Sequence, residues 1–188
     1  MIAGDLIVKF RDASEPGAQL AAVRSGQRTV ASVAPLAARL AAELGVPLVL
    51  VQVTSGREAL LALDRETLGR ALRARAGREA GVQEAAMAPQ AAGLPGPELV
   101  LRLSTQGNMA GTARDALGAR LAIGTLARPR VVAQGEGAGR ALSLHYDIDA
   151  LTLALIARLQ QRPEVEYVQA NRLLRPQPAA GGASAAPR

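Results

Sequence analysis

The sequence predicts an α+β protein built from two tandem β-α-β-β-α-β units, each an antiparallel sheet with its helices on one face. Three observations lead to this prediction. The chain has 188 residues, which is room for two small domains. Parts of its first half can be aligned with parts of its second half. Short strand-like runs and leucine- and alanine-rich helical stretches also follow one another in the same order in both halves.

The internal repeat is clearest in two alignments. Gly56–Asp64 aligns with Gly139–Asp147 at an offset of 83 residues (139 − 56), and Asp5–Phe10 aligns with Glu98–Leu103 at an offset of 93 (98 − 5). The intervening stretch is rich in proline and glycine, a composition typical of a linker. We therefore expect a first domain over residues 1–87, a linker over 88–97, a second domain over 98–175, and a disordered tail or linker over 176–188.

Each repeat begins with a strand, continues with a helix and two strands, and closes with a second helix and a last strand. The predicted strands are Leu6–Phe10, Leu48–Val53, Glu58–Leu63 and Val82–Ala86, then Leu99–Leu103, Arg130–Gln134, Arg140–Asp147 and Val165–Leu173. The first helix begins near Pro35 and ends at Gly45, and Asp149 is expected to cap the last helix. This order is that of ferredoxin-like folds, in which one sheet face stays uncovered and is available for binding.

The composition excludes several kinds of protein. There is no cysteine, so disulfide frameworks, thiol nucleophiles and cysteine-type zinc sites are excluded, and His145 is the sole histidine. Apolar runs are far shorter than the ~20 residues of a membrane span. The net charge of +6 comes from arginines spread along the chain, which indicates a solvated basic surface. We expect a protein that is not an enzyme, with no cofactor, no metal ion and no membrane segment.

The end of the second repeat carries a family resemblance. Its leucine-rich helix is followed by Arg162-Pro163-Glu164 and then by Val165-Glu166-Tyr167-Val168-Gln169-Ala170-Asn171. This segment resembles the closing signature of the propeptides of subtilisin-like serine proteases and of related stand-alone inhibitors. The opening Gly4–Phe10 is similar to the way such propeptides begin. Ala170 stands where that family usually has proline, and the first repeat keeps only Val82 of the motif.

The resemblance implies an intramolecular chaperone and inhibitor of a secreted subtilisin-like serine protease, acting in cis or in trans. Such a propeptide docks its open sheet face on the protease and lays its C-terminal segment along the active-site cleft as an added strand. No nucleic-acid partner is expected. The implied location is periplasmic or secreted, with the leader outside this chain; a cytosolic start is the alternative. The expected protease-binding residues are Ser143, His145, Glu166, Tyr167, Gln169, Asn171, Arg172, Leu173 and Leu174.

One alternative is an RNA-binding or ligand-sensing tandem ferredoxin-like module. An RNA-binding sheet of this topology needs aromatic side chains on its first and third strands, where bases stack. The chain has three aromatic residues, Phe10, Tyr146 and Tyr167. The strand around Tyr146 resembles the RNA-binding pattern faintly, and the first repeat has no counterpart of it.

Overall fold

The computed structural model describes residues 3–89, 97–134 and 140–171. Within these residues the chain forms eight strands, five α-helices and one short 3₁₀ helix. The elements are β1 (Asp5–Phe10), α1 (Glu15–Arg24), the 3₁₀ helix (Val30–Val33), α2 (Ala34–Leu44), β2 (Leu48–Val53), β3 (Glu58–Leu63), α3 (Arg65–Ala76), β4 (Val82–Met87), β5 (Glu98–Thr105), α4 (Gly111–Arg120), β6 (Arg130–Gln134), β7 (Ala141–Asp147), α5 (Ile148–Gln160) and β8 (Val165–Ala170).

The predicted fold class is confirmed: the protein is α+β, with two four-stranded antiparallel sheets. The first sheet has the strand order β2-β3-β1-β8, and the second has the order β4-β5-β7-β6. Both orders match the ferredoxin-like arrangement, in which the first and third strands lie in the middle.

The two sheets exchange their last strands. Strand β8 pairs with β1, with Val8 opposite Val168, and strand β4 pairs with β5, with Ala85 opposite Leu103. The preceding helices follow the strands: α3 contacts β4 and β5, and α5 contacts β8 and β1. The ranges 1–87 and 98–175 thus describe the repeat along the chain, whereas each sheet contains strands from both. The alternating pattern of a strand fixes which face is buried but not which neighbour it pairs with.

One continuous apolar core joins the two repeats. Leu6, Val8 and Phe10 of β1 and Leu99 and Leu101 of β5 are fully buried in the same cluster of side chains. Helix α5 contacts strands of both sheets, so it lies between them. Because burying one such side chain contributes about 1.5–3 kcal/mol, this shared core stabilises both sheets together.

The helix boundaries agree with the prediction for α2 and differ from it for α1 and α5. Helix α2 buries Leu36 and Leu40 and ends as predicted at Gly45, whose φ of 68° is the left-handed conformation that glycine adopts readily. Helix α1 was not predicted, although Ser14 caps it by accepting from the Gly17 N–H. The expected cap of the last helix is wrong by two residues, because the Asp147 carboxylate accepts from the Ala150 N–H at 2.8 Å.

Strand β8 is shorter than predicted. It ends at Ala170 rather than Leu173, and residues 172–188 lie outside the described part of the chain. The Asn171 N–H still donates to the Asp5 carbonyl at 3.0 Å. The described part of the chain therefore stays hydrogen-bonded to β1 as far as Asn171.

Candidate docking face

Each sheet has one face that carries the alternate side chains pointing away from the core. In β1 the buried residues Leu6, Val8 and Phe10 alternate with the half-buried Asp5, Ile7 and Lys9. We call these two outward surfaces the first face (of sheet β2-β3-β1-β8) and the second face (of sheet β4-β5-β7-β6). They are the surfaces on which a docking partner was predicted to bind.

The first face is apolar at its centre. Ile7 and Leu60 lie directly opposite each other on the two central strands and are both half-buried. On edge strand β2, Val49 is 44% exposed and Val51, at a β-bulge, is 51% exposed. These two valines are among the four exposed large apolar side chains in the part of the chain that the structure describes. Water-exposed apolar side chains grouped on one face are typical of an interaction surface.

One edge of the first face is a hydrogen-bonded group of charged and aromatic side chains. The Tyr167 hydroxyl donates to the Glu58 carboxylate, Lys9 Nζ lies 2.7 Å from Glu166 Oε1, and the same Nζ lies 5.6 Å from the centre of the Tyr167 ring. Hydrogen bonds from Ser55 and Tyr167 lower the pKa of Glu58. The hydrogen bond to this carboxylate raises the pKa of Tyr167 to about 12. The group therefore holds Tyr167 in one position on the face.

The second face is more polar than the first, with charged and polar side chains around the half-buried Val100 and Val132. Arg102 and Arg130 are exposed, and Arg130 Nη2 lies 3.6 Å from Glu98 Oε1. His145 Nδ1 is 3.0 Å from Glu98 Oε2, and its Nε2 is 3.0 Å from the Ser143 hydroxyl. Ser143, His145 and Glu98 thus form a serine–histidine–carboxylate chain, which was not predicted from a sequence with one histidine.

The hydrogen-bonded group of Ser143, His145 and Glu98 lacks the substrate access and the oxyanion hole of a hydrolase site. Ser143 has no exposed surface, so a substrate carbonyl has no access to its hydroxyl. Ser143 lies on the central strand β7, where it is opposite Arg102 of β5 on one side and Val132 of β6 on the other. Backbone N–H groups committed to a sheet ladder do not form an oxyanion hole. The geometry is therefore that of a hydrogen-bonded group that joins a buried serine to a partly exposed histidine and an exposed glutamate.

The strand exchange separates the predicted binding residues. Tyr167, Gln169 and the end of the strand at Asn171 belong to the first sheet, where Gln169 lies opposite Ile7. Glu166 lies beside them at the β8 bulge. Ser143 and His145 lie on the second sheet.

The two predicted residues on the second sheet differ in exposure. Ser143 was expected to face a partner or solvent, and this is wrong, because its short side chain is completely buried between the neighbouring strands. His145 is 22% exposed at its side chain. Arg172, Leu173 and Leu174 lie outside the described residues.

The apolar centre of the first face was not predicted. Ile7, Leu60, Val49 and Val51 were assigned to strands but not to a binding surface. A signal was present: the run Leu48–Val53 contains no charged residue, although natural edge strands usually carry one. The predicted binding residues all lie in the second repeat, because the last strand of the first repeat keeps only Val82 of the motif. That strand, β4, is not part of the first sheet.

The aromatic residues are not placed for base stacking. Phe10 and Tyr146 are fully buried, and the Tyr146 hydroxyl donates to the Leu121 carbonyl at 2.9 Å inside the core. Tyr167 lies on an edge strand, with its hydroxyl bound to Glu58. The central strands of both faces thus present no aromatic ring, although an RNA-binding sheet of this topology uses rings at those positions.

Comparison with known proteins adds no relative. No family model matches this chain, and no match was found among curated proteins or among solved structures. Within residues 3–89, 97–134 and 140–171, no helix is both long and apolar enough to cross a bilayer. In the same residues, no three His, Asp or Glu side chains are grouped so that they could hold a metal ion.

Proposed function

We propose that this chain is a prodomain-like chaperone and inhibitor of a secreted subtilisin-like serine protease, and that it docks through the first face. The observation that carries the proposal is the combination found on one sheet. The apolar centre around Ile7 and Leu60 lies on the same sheet as β8, the strand from which the C-terminal segment continues. A docked sheet and an added strand in the cleft require these two features together.

The contrast between the two faces supports this assignment. The first face offers half-buried and exposed apolar side chains that gain stability when a partner covers them. The second face is covered by Arg102, Arg130 and the His145–Glu98 pair. Removing these charged groups from water costs free energy unless the partner supplies matching charges. A partner that binds by apolar burial therefore favours the first face.

The first face also carries groups suited to orienting a partner. Gln169, next to Ile7, is exposed and has amide donors and an acceptor available at the rim of the apolar centre. Tyr167 is held by Glu58 and contributes a rigid ring to the same rim. Apolar centres surrounded by polar rims are the common arrangement of protein interfaces.

The experiment measures inhibition and refolding of a subtilisin-type protease by micromolar chain. Two matched variants test which face docks: Leu60→Gln on a central strand of the first face, and Val100→Gln on a central strand of the second face. Both residues are half-buried. The Leu60→Gln variant loses part of the apolar burial of a leucine, which lowers its binding free energy by about 1.4 kcal/mol. We therefore expect this variant to inhibit the protease roughly tenfold more weakly than the parent chain. Val100→Gln should inhibit like the parent chain.

Two results would contradict the proposal. If the parent chain changes neither the activity nor the refolding yield of the protease, the function is wrong. If Val100→Gln weakens inhibition and Leu60→Gln does not, the docking face is wrong. Circular dichroism of both variants establishes that each is folded before the comparison is made.

A further inference from the structure

We propose that the two halves of the chain are obligate partners, which remain bound to each other when the connection between them is cut. The first half is residues 3–89 and the second half is residues 97–171. Each half presents a three-stranded sheet with an open edge on its first strand. The partner that fits this edge is the final helix and strand of the other half.

Backbone pairing between the halves is extensive. Strand β8 of the second half pairs with five residues of β1, and strand β4 of the first half pairs with five residues of β5. The Arg11 N–H also donates to the Glu164 carbonyl at 2.9 Å, beyond the end of the β1–β8 pairing. A separated half would leave these strand edges without their neighbours. Unpaired edges bind a complementary strand readily.

Side chains also connect the halves, at both ends of the exchange. Arg162 pairs with Glu43, and Arg120 Nε lies 2.6 Å from Glu79 Oε2. The Arg75 guanidinium donates to the carbonyls at the end of α4, which belongs to the other half. Together with the Lys9–Glu166 and Tyr167–Glu58 contacts, these pairs would all be lost on separation.

The exchange has a consequence for the docking face. The first face contains β1, β2 and β3 of the first half and β8 of the second half. A chain cut between Pro89 and Pro97 would therefore keep the face assembled. A single cut by the target protease between the halves therefore does not release the inhibitor from that protease. This consequence rests on the proposed function. The association of the halves does not depend on that function.

The test uses the full chain with residues 90–96 replaced by the recognition sequence of a site-specific protease. Because the chain has no cysteine, an introduced pair reports strand pairing directly. Ile7→Cys with Gln169→Cys places thiols on directly opposite residues of β1 and β8. Opposite residues in antiparallel strands have Cα separations of ~4.5–5.5 Å, which suit a disulfide. Val49→Cys with Ala62→Cys is the matched control, since both positions lie in the first half.

After cleavage we expect the halves to elute together from a sizing column at the position of the uncut chain. On a non-reducing denaturing gel, the Ile7/Gln169 pair should keep the fragments linked, and the Val49/Ala62 pair should let them separate. The Tm of the cut chain without cysteines should rise with protein concentration, as for a two-chain complex.

The proposal is overturned if the cut halves separate on the column, or if the Ile7/Gln169 pair fails to link them. The cysteine-free cut chain gives the column result even where a cysteine variant does not fold. No subtilisin-like protease is used, so failure here and failure of the proposed function are distinguishable.

Discussion

Replacing Thr152 by valine should destabilise the protein through one buried hydrogen bond between the halves. Thr152 lies on α5 and is completely buried. Its Oγ1 accepts from the Gly4 N–H at 3.0 Å and donates to the Ile148 carbonyl at 2.6 Å. Valine has nearly the same shape but cannot accept, so the buried Gly4 N–H would be left without its partner.

The magnitude follows from the unpaired group. A buried donor left unsatisfied costs ~1–3 kcal/mol, so the free energy of unfolding should fall by about 2 kcal/mol. For a protein of this length, that corresponds to a Tm lower by roughly 4–8 °C. The assay is thermal and urea unfolding followed by circular dichroism. Thr112→Val is the control, because Thr112 is an exposed residue of α4.

The same experiment tests the strand exchange. By the offset of 93 residues, the counterpart of Gly4 in the second half is Pro97, which has no N–H to donate. If α5 packed only on the sheet of its own half, Thr152 would have no donor there, and valine would be neutral or stabilising. A Tm for Thr152→Val equal to or above that of Thr112→Val would refute the reasoning.

Three further predictions follow from particular contacts. Glu58→Gln should lower the pKa of Tyr167 from about 12 toward 10, measured as tyrosinate absorbance during an alkaline titration. Since that pKa is raised in the folded state, the stability it contributes is present below pH 10 and is lost as the pH rises through about 12. Gly4→Ala should cost about 3 kcal/mol in urea unfolding, because its φ is 97° and an added Cβ would lie 2.9 Å from Leu63 Cβ. Asp64→Ala should cost about 1 kcal/mol, because its carboxylate caps α3.

Each of these three predictions has a result that would contradict it. Hydrogen bonds from Thr67 lower the pKa of Asp64, so the parent should lose this cap as the pH falls below the ordinary carboxyl range. An Asp64→Ala variant that stays 1 kcal/mol less stable at low pH would contradict the capping role. Gly26→Ala is the control for Gly4→Ala, since Gly26 also has a positive φ but has open space around it. Equal costs at the two glycines would argue against close packing at Gly4. An unchanged tyrosinate titration in Glu58→Gln would argue against the Tyr167 hydrogen bond.

The sequence predicted the local structure well because local structure depends on neighbouring residues. The bounds of β2 (Leu48–Val53), β3 (Glu58–Leu63) and β6 (Arg130–Gln134) were predicted as they occur. Their alternation and the flanking turn residues are sufficient to locate them. Helix α1 was missed because its apolar residues do not form a clear stripe, and Leu20 is the main side chain it buries.

The pairing of the strands was not predicted, and this changed the site. β1 and β5 have nearly the same pattern, so either can accept β4 or β8 as its neighbour. The choice depends on tertiary contacts such as those of Arg162 and Thr152, which link residues more than a hundred positions apart. The resemblance at the C-terminus predicted binding residues only in the second repeat, whereas Ile7 and Leu60 of the first repeat lie on the same sheet as β8.

The central claim is that the first face docks on a subtilisin-like protease, and thiol labelling tests it most directly. Val49→Cys places a single thiol on the first face, and Val132→Cys places one on the second face. The labelling rate of each is measured with and without a protease whose nucleophilic serine is replaced by alanine. At protease concentrations about ten times Kd, labelling of Val49→Cys should slow roughly tenfold, and that of Val132→Cys should stay unchanged. Unchanged labelling at Val49→Cys, or protection at Val132→Cys alone, would contradict the account.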